Sequence, residues 1–488
     1  MIVLLKQSIS NRGVKRIPLS IVNILLACSC CIQFFAILYN YFAELPSLNY
    51  FMHVNSYVVL FLILCNLLLD GALQNFLIIT FYLCFLIFLR GQKLFYEEYD
   101  TTFTFIKTTL DIGQYITFIT IISVAEIVTF IAYKYYSRGE AMFANKKGSR
   151  WISYDWNYLR PMVRLLFYVT LPCALYMQLK IVMVKSALIY TDAYLINVDV
   201  PLFVKLGNFI WQTVSLVYLA MRPSKKEAIF VCLSLLFVQG FIQLFQGRRA
   251  LFASTLFFVI WYYIKYNNIR KIHGKSIIYY VIGGMALLML FFYVGVHRSG
   301  GTIDVDSLFV IIKYFMISTG GSDSVLANTI VNVDSFPHPG VLYLFDPIIF
   351  NPVVNIFYDK SGLPQGMEYL NSHFTFSHWI SYLTEPSLYL SGRGMGSCYL
   401  AELYVAFGVL GVVVVSIILG YLFTVFTRID IEHGSVFINC LCFLLIKSTF
   451  TLPRDGLFSW FPSFVYMMII FMFLFIFLPA KQKLNYTF

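Results

Sequence analysis

Charge is what this sequence has least of. Asp, Glu, Lys and Arg make up 12% of the chain, about half the share of an ordinary soluble protein. With 59% of residues apolar, the polar surface needed to cover a water-soluble fold of 488 residues is missing. A multidomain soluble enzyme is therefore excluded, and the composition fits a chain that crosses a bilayer many times. Paired cysteine motifs are missing too. The ten cysteines lie in or at the edge of apolar runs, no Cys-X-X-Cys pair faces a second pair or a His pair, and they read as small buried hydrophobes. The net charge of +11 does not make the chain a nucleic-acid binder, because in a membrane protein such an excess reflects Lys and Arg retained on cytoplasmic loops. No cleavable leader is expected either. The apolar run after Lys6, Arg12, Lys15 and Arg16 is longer than a signal-peptide core and has no small-residue cleavage site, so it reads as an uncleaved first span.

What is present is a series of apolar segments of spanning length. Twelve are expected: 18–42, 51–69, 72–89, 114–133, 161–184, 202–221, 228–246, 250–266, 276–296, 399–426, 435–451 and 457–478. With the N-terminus inside, Lys and Arg are roughly three times as dense on the inner loops as on the outer ones. The expectation is an all-α polytopic membrane protein with both termini inside. It has three parts: a nine-helix region over 1–296, a large outer-face loop over 297–398, and a three-helix region over 399–488. A long loop among tight turns usually carries function. Within this one, Leu308–Met316 is apolar enough for a helix lying on or dipping into the membrane.

Cations on the outer side run against the positive-inside bias and so are informative. Arg248 and Arg249 form the turn of a short hairpin, and Arg298 stands where the ninth span emerges. Arg393 lies in Gly392-Arg-Gly-Met-Gly-Ser397, and Arg454 in Leu452-Pro-Arg-Asp-Gly456. A guanidinium stays charged and its planar fork matches phosphate oxygens, so these residues are candidates for holding a phosphate or diphosphate at the membrane surface. The bland alternative for each is snorkelling to lipid headgroups. Gly394, Gly396 and Ser397 precede a long helix, where glycines admit close approach of a ligand and Ser397 is a candidate N-cap. The pattern is not a dinucleotide fingerprint, for want of the preceding strand and the final glycine. Glu402 lies about one turn into the tenth span, where a carboxylate is costly; it is either a base or the partner that fixes an arginine. Asp323 is a second candidate base or sugar ligand. His373 and His378 lack the spacing of a zinc protease, and His378 is a candidate sugar contact or an ordinary loop residue.

These residues resemble a known family. The stretch 394–411, Gly-Met-Gly-Ser-Cys-Tyr-Leu-Ala-Glu-Leu-Tyr-Val-Ala-Phe-Gly-Val-Leu-Gly, is similar to the late motif of bacterial O-antigen polymerases of the Wzy type. Gln246-Gly-Arg-Arg-Ala250, opening a span that contains Trp261-Tyr-Tyr263, is similar to their central motif. Ser318–Leu326 resembles a further segment, with Gly320 where Gln is expected. The resemblance implies a GT-C-like, metal-independent glycosyltransferase without a cofactor. It would act at the periplasmic face of the inner membrane and transfer a growing glycan from undecaprenyl diphosphate to a new lipid-linked unit. It also implies a chain-length regulator and a flippase as partners. Under it, Glu402, Arg298 and Arg249 are the expected catalytic residues. Arg248, Arg393, Arg454, Gly394, Gly396, Ser397, Asp323 and His378 would bind diphosphate or glycan. Two rivals stay open: a lipid-linked oligosaccharide flippase or transporter, and an O-antigen ligase of the same superfamily, for which a loop histidine would serve as catalyst.

Overall fold

In the computed structural model the described residues are 16–95, 104–138, 156–186, 198–245, 249–269, 289–290, 293, 307–350, 365–432 and 434–477. They are almost wholly helical; the strand pair Thr104–Phe105 and Thr108–Thr109 is the exception among them. Among the described residues, seven helices are long and apolar enough to cross a membrane: Pro18–Ala43, Pro46–Gly71, Ile112–Arg138, Arg160–Val184, Leu202–Ala220, Lys225–Leu244 and Tyr399–Arg428. Shorter apolar helices occupy Phe76–Leu89, Gly340–Ile349, Val436–Thr449 and Phe461–Ile476. A further helix runs Arg249–Tyr266. Eleven of the twelve expected segments thus coincide with helices, several too short to span by length alone, and the twelfth, 276–296, lies almost entirely outside the described residues. The chain is a multi-pass, helical membrane protein.

The chain divides into two compact units. One comprises Met1–Arg138, Asn267–Val341 and Met395–Thr427; the other comprises Gly139–Tyr266, Leu342–Gly394 and Arg428–Phe488. The passage from the second unit back to the first falls inside the glycine-rich motif, between Gly394 and Met395.

Helices that lipid already solvates have no hydrophobic drive to associate, so buried polar contacts between them carry weight beside close packing. In the first unit, Asn40 donates to Asn49 at 2.6 Å, Asn55 to Gln33 at 2.8 Å, and Gln33 to Ser123 at 3.0 Å. These bonds tie the first two helices to each other and to Ile112–Arg138. The Tyr133 hydroxyl donates to Asn75 at 2.6 Å.

The Tyr399–Arg428 helix is broken at Gly408, where φ is 61° and ψ is −157°. That φ is open to glycine and strained for residues with a Cβ. Just before the break, Gly340 packs against the helix backbone so closely that a Cβ would overlap the carbonyl of Val405. The expected apolar helix near 308–316 is present as Leu308–Thr319, and its N-cap Ser307 accepts from the Val310 N–H.

Candidate functional site

The first unit carries a buried cluster of ionisable groups. Arg90 follows the Phe76–Leu89 helix, and Glu126 lies midway along Ile112–Arg138; their side chains are 1% and 0% exposed. Arg90 Nη2 lies 3.0 Å and Nε 3.3 Å from the same oxygen, Glu126 Oε1. The pair is side-on rather than fork-to-fork, and Arg90 Nη1 and Glu126 Oε2 are buried without partners among the described residues. Aromatic residues enclose it. The Tyr57 ring lies 4.8 Å beneath the guanidinium and its hydroxyl donates to the Arg90 carbonyl, while Tyr82 donates to the Glu126 carbonyl at 2.7 Å. An intramembrane ion pair carries a large desolvation cost, and side-on geometry recovers only part of it.

Asp323 stands in the first turn of the Ser322–Val331 helix and is 2% exposed. Its Oδ1 accepts from the Ser324 N–H at 2.6 Å. Burial pushes its carboxyl up to about 7, against the pull of the Ser324 hydrogen bonds and the positive charges of Lys93 and Arg90. Burial also brings the Lys93 ammonium down to about 8, with Asp323 opposing. Lys93 donates to the Thr104 carbonyl at 2.6 Å and lies over the Phe105 ring. The hairpin is in turn clamped to the Asp323 helix: the Ile106 N–H donates to Ser324 Oγ at 3.2 Å, and Asn328 donates to the Ile106 carbonyl at 2.7 Å. Gly320, at the position where the resemblance leads to glutamine, has no room for a side chain. A Cβ there would overlap the Gln92 backbone and sit 2.7 Å from the Met316 carbonyl.

Glu402 lies in the first turn of its helix, 6% exposed, and accepts from Ser397 Oγ at 2.7 Å. The helix itself begins at Tyr399, so Ser397 lies ahead of the cap position and its hydroxyl serves this carboxylate. Between them, Cys398 is fully buried. Burial pushes its thiol up to about 12, and the charges of Glu402 and Asp323 both add to the rise. Ser397 and Glu402 thus bracket Cys398, whose thiol also feels the charge of Asp323. Gly396, exposed with φ 86°, leads into this turn.

The other expected residues fall in the second unit. Arg393 and Gly394 are exposed, at the end of a loop held by Gln365, which donates to the Tyr389 and Arg393 carbonyls at 2.6 and 2.8 Å. A Cβ on Gly394 would touch Ser381 Oγ at 3.2 Å. In the same lobe His378 stacks on Tyr369, with ring centroids 4.2 Å apart, and its Nδ1 lies 3.0 Å from the Tyr389 hydroxyl. Burial first, and the neighbouring His373 second, bring the His378 imidazole down to about 4, so it is neutral at physiological pH. Arg249 opens its helix half-buried, and Arg454 is exposed on the Leu452–Arg454 turn. Arg248 and Arg298 lie outside the described residues. Of the expected residues that are described, Asp323, Gly396, Ser397 and Glu402 belong to the first unit and Arg393, Gly394 and His378 to the 365–394 lobe, with Arg249 and Arg454 elsewhere in the second unit.

Arg90, Lys93 and Glu126 are functional candidates that inspection of the sequence passed over. The signal is there: Arg90 and Lys93 follow an apolar run at the end expected to be outer, where cations are disfavoured, and Glu126 interrupts Ile121-Ile-Ser-Val-Ala-Glu-Ile-Val128. Among the described residues, no three of His, Cys, Asp and Glu are grouped to hold a metal ion.

Neither the curated proteins nor the solved structures contain a match to this chain. A family model does match, over residues 4–484 of 488, and the chain belongs to the family that it describes, the O-antigen polysaccharide polymerases, Wzy.

Proposed function

We propose that this protein polymerises oligosaccharide repeat units carried on a lipid diphosphate at the periplasmic face of the inner membrane, with both termini cytoplasmic and a GT-C-like arrangement of helices. The acceptor is one unit on undecaprenyl diphosphate and the donor is the growing glycan on the same carrier. An acceptor hydroxyl attacks the donor's anomeric carbon. A new glycosidic C–O bond forms, the anomeric C–O bond to phosphate breaks, and undecaprenyl diphosphate leaves with the bonding pair. The hydroxyl proton goes to a carboxylate. A chain-length regulator and a flippase are the expected partners.

The observation that carries this reading, beside family membership, is that two buried carboxylates, Asp323 and Glu402, both act on the Cys398 thiol. Asp323 has a carboxyl raised to about 7, matched to proton transfer near neutral pH, and Glu402 is oriented by Ser397. Negative charge grows on the departing diphosphate, and fixed guanidinium groups lower the barrier where it develops. This role falls to Arg298 and Arg249, with Arg248, Arg454 and Arg393 binding the diphosphates, so that charge stabilisation is assigned to arginine rather than to a bound metal. The chain's backbone at Gly394, Gly396 and Ser397 would approach a diphosphate closely, and His378, neutral and stacked on Tyr369, would contact sugar.

Deletion of the gene in its native host, followed by electrophoresis of the surface polysaccharide, tests the reading. The long ladder should collapse to core plus one repeat unit. Wild type should restore it, whereas Asp323→Asn, Glu402→Gln and Arg298→Ala at equal protein level should not. An unchanged ladder in the deletion strain would remove the proposal. Loss of even the single-unit band would assign the protein to lipid flipping.

A further inference from the structure

The second unit holds a cation that the proposed chemistry does not use. Lys447 lies in the last turn of the Val436–Thr449 helix and is half-buried. It forms none of the ion pairs found among the described residues. The acceptor recorded for it among them is the side-chain oxygen of Gln239. An ammonium has three protons to donate and nothing to accept with, so one amide oxygen leaves two donors and the whole charge uncompensated. A cation in an apolar helix is costly, and its usual justification is functional.

Gln239 is placed by an irregularity of its own. It sits in the π-helical turn Leu236–Phe241, between the helices Lys225–Leu235 and Ile242–Phe245, and is 7% exposed. Such widened turns are frequent at functional sites. The orientation of a glutamine amide is ordinarily ambiguous, but here chemistry fixes it: facing a group that only donates, the amide must present its oxygen. Its Nε2 protons therefore point away from Lys447. Together the two side chains offer a positive charge and donors in excess, with their one acceptor oxygen turned to the ammonium. One turn further on, Gln243 donates to Gln178 at 3.1 Å and Gln178 to Asn208 at 3.4 Å, a strip of buried amides across three helices.

A site of donors with one net positive charge and no carboxylate is complementary to an anion of the phosphate class. We infer that Lys447 and Gln239 bind a phosphate group, and, resting on the polymerase reading, that this group belongs to the diphosphate of a lipid-linked substrate. Arginine is suited to bidentate capture at an exposed loop. A lysine within a helix acts as a point charge that docks one phosphoryl group of a chain lying along the protein.

The full-length protein, purified in a detergent without phosphate, tests this by thermal unfolding during titration with three probes: inorganic pyrophosphate, farnesyl diphosphate and phosphatidylglycerol. Pyrophosphate and farnesyl diphosphate should each raise the unfolding temperature of the wild type. Their apparent affinity should fall about tenfold in Lys447→Met, as expected for loss of one charge-assisted contact, and change little in Lys447→Arg. Gln239→Leu keeps the ammonium and removes the amide donors; it should weaken both probes, and it serves as the readout where Lys447→Met does not fold. Equal affinities in wild type and variants would overturn the inference. A Lys447-dependent shift with phosphatidylglycerol alone would overturn the diphosphate assignment and leave a headgroup site. If Lys447 governs diphosphate binding while deletion of the gene leaves the polysaccharide ladder unchanged, the anion site stands and the polymerase reading fails. If Lys447→Met binds and polymerises as wild type does while Asp323→Asn does not, the reverse holds.

Discussion

Arg90 approaches Glu126 from the side, so that its Nε and Nη2 share one carboxylate oxygen while Nη1 and Oε2 stay buried without partners among the described residues. A stabilising device would use both oxygens. Half-satisfied, the pair is sensitive to loss of either member, because the survivor becomes an uncompensated charge in a low-dielectric interior. Arg90→Met or Glu126→Leu should each cost about 3–5 kcal/mol of stability, whereas the double variant should recover most of it. Thermal unfolding of the four proteins in detergent checks this. Additive losses would show that the two side chains do not act as a pair.

The contrast between Glu402 and Glu126 shows where the sequence was legible. Both are carboxylates in apolar runs, and the same cost argument applies to both. Glu402 stood out because Gly394 to Ser397 beside it marked a helix start; Glu126 has no such punctuation and merges with its span. Its partner is 36 positions away, and a contact of that range leaves no local trace in composition or periodicity. Hydropathy marked the helices themselves clearly, since eleven expected segments coincide with observed ones. It could not show that the two compact units each draw on three separate stretches of chain, because that depends on pairing between helices and not on their content. Asp323 was singled out from its glycines, but its proximity to Lys93 required the fold.

Gly340 and Val405 set a steric limit. Alanine at 340 places a methyl group against the carbonyl of Val405, where backbone rather than a movable side chain must yield. Overpacking of this kind costs about 1–3 kcal/mol. Gly340→Ala should lower the unfolding temperature measurably, while alanine at the half-buried but uncrowded Gly366 lacks this steric penalty. Equal behaviour of the two variants would show that the close approach is relieved by a shift of the helix.

Ser397 is predicted to act through Glu402. Its hydroxyl donates to one oxygen of that carboxylate at 2.7 Å and so fixes the direction in which the other points. Ser397→Ala should lower the turnover of lipid-linked units about threefold to tenfold, in proportion to one neutral-to-charged hydrogen bond, and Ser397→Thr should restore it. Glu402→Gln should cost about a hundredfold or more. Because the two residues form one device, Ser397→Ala should add nothing in the Glu402→Gln background. Multiplying losses would place the serine's effect elsewhere.

The pH dependence of polymerisation should report Asp323. Its carboxyl is raised from the ordinary value near 3.8 to about 7 by burial, so the folded protein holds this proton more tightly than the unfolded chain does. Stability should therefore fall as pH rises from about 4 to about 7, and this slope should vanish in Asp323→Asn. Activity follows the opposite direction, since a proton acceptor must be ionised: the rate at limiting substrate should climb through about pH 7 and level above it. Lys93, brought down to about 8 by burial, is still protonated where Asp323 titrates, and its charge favours the carboxylate. Lys93→Met removes that support and should carry the rising limb to higher pH while leaving the plateau nearly unchanged. An assay with lipid-linked units across pH 5–9 reads both features. A limb that stays in place in Lys93→Met would separate the titrating group from Asp323, and the role of acceptor would then fall to Glu402.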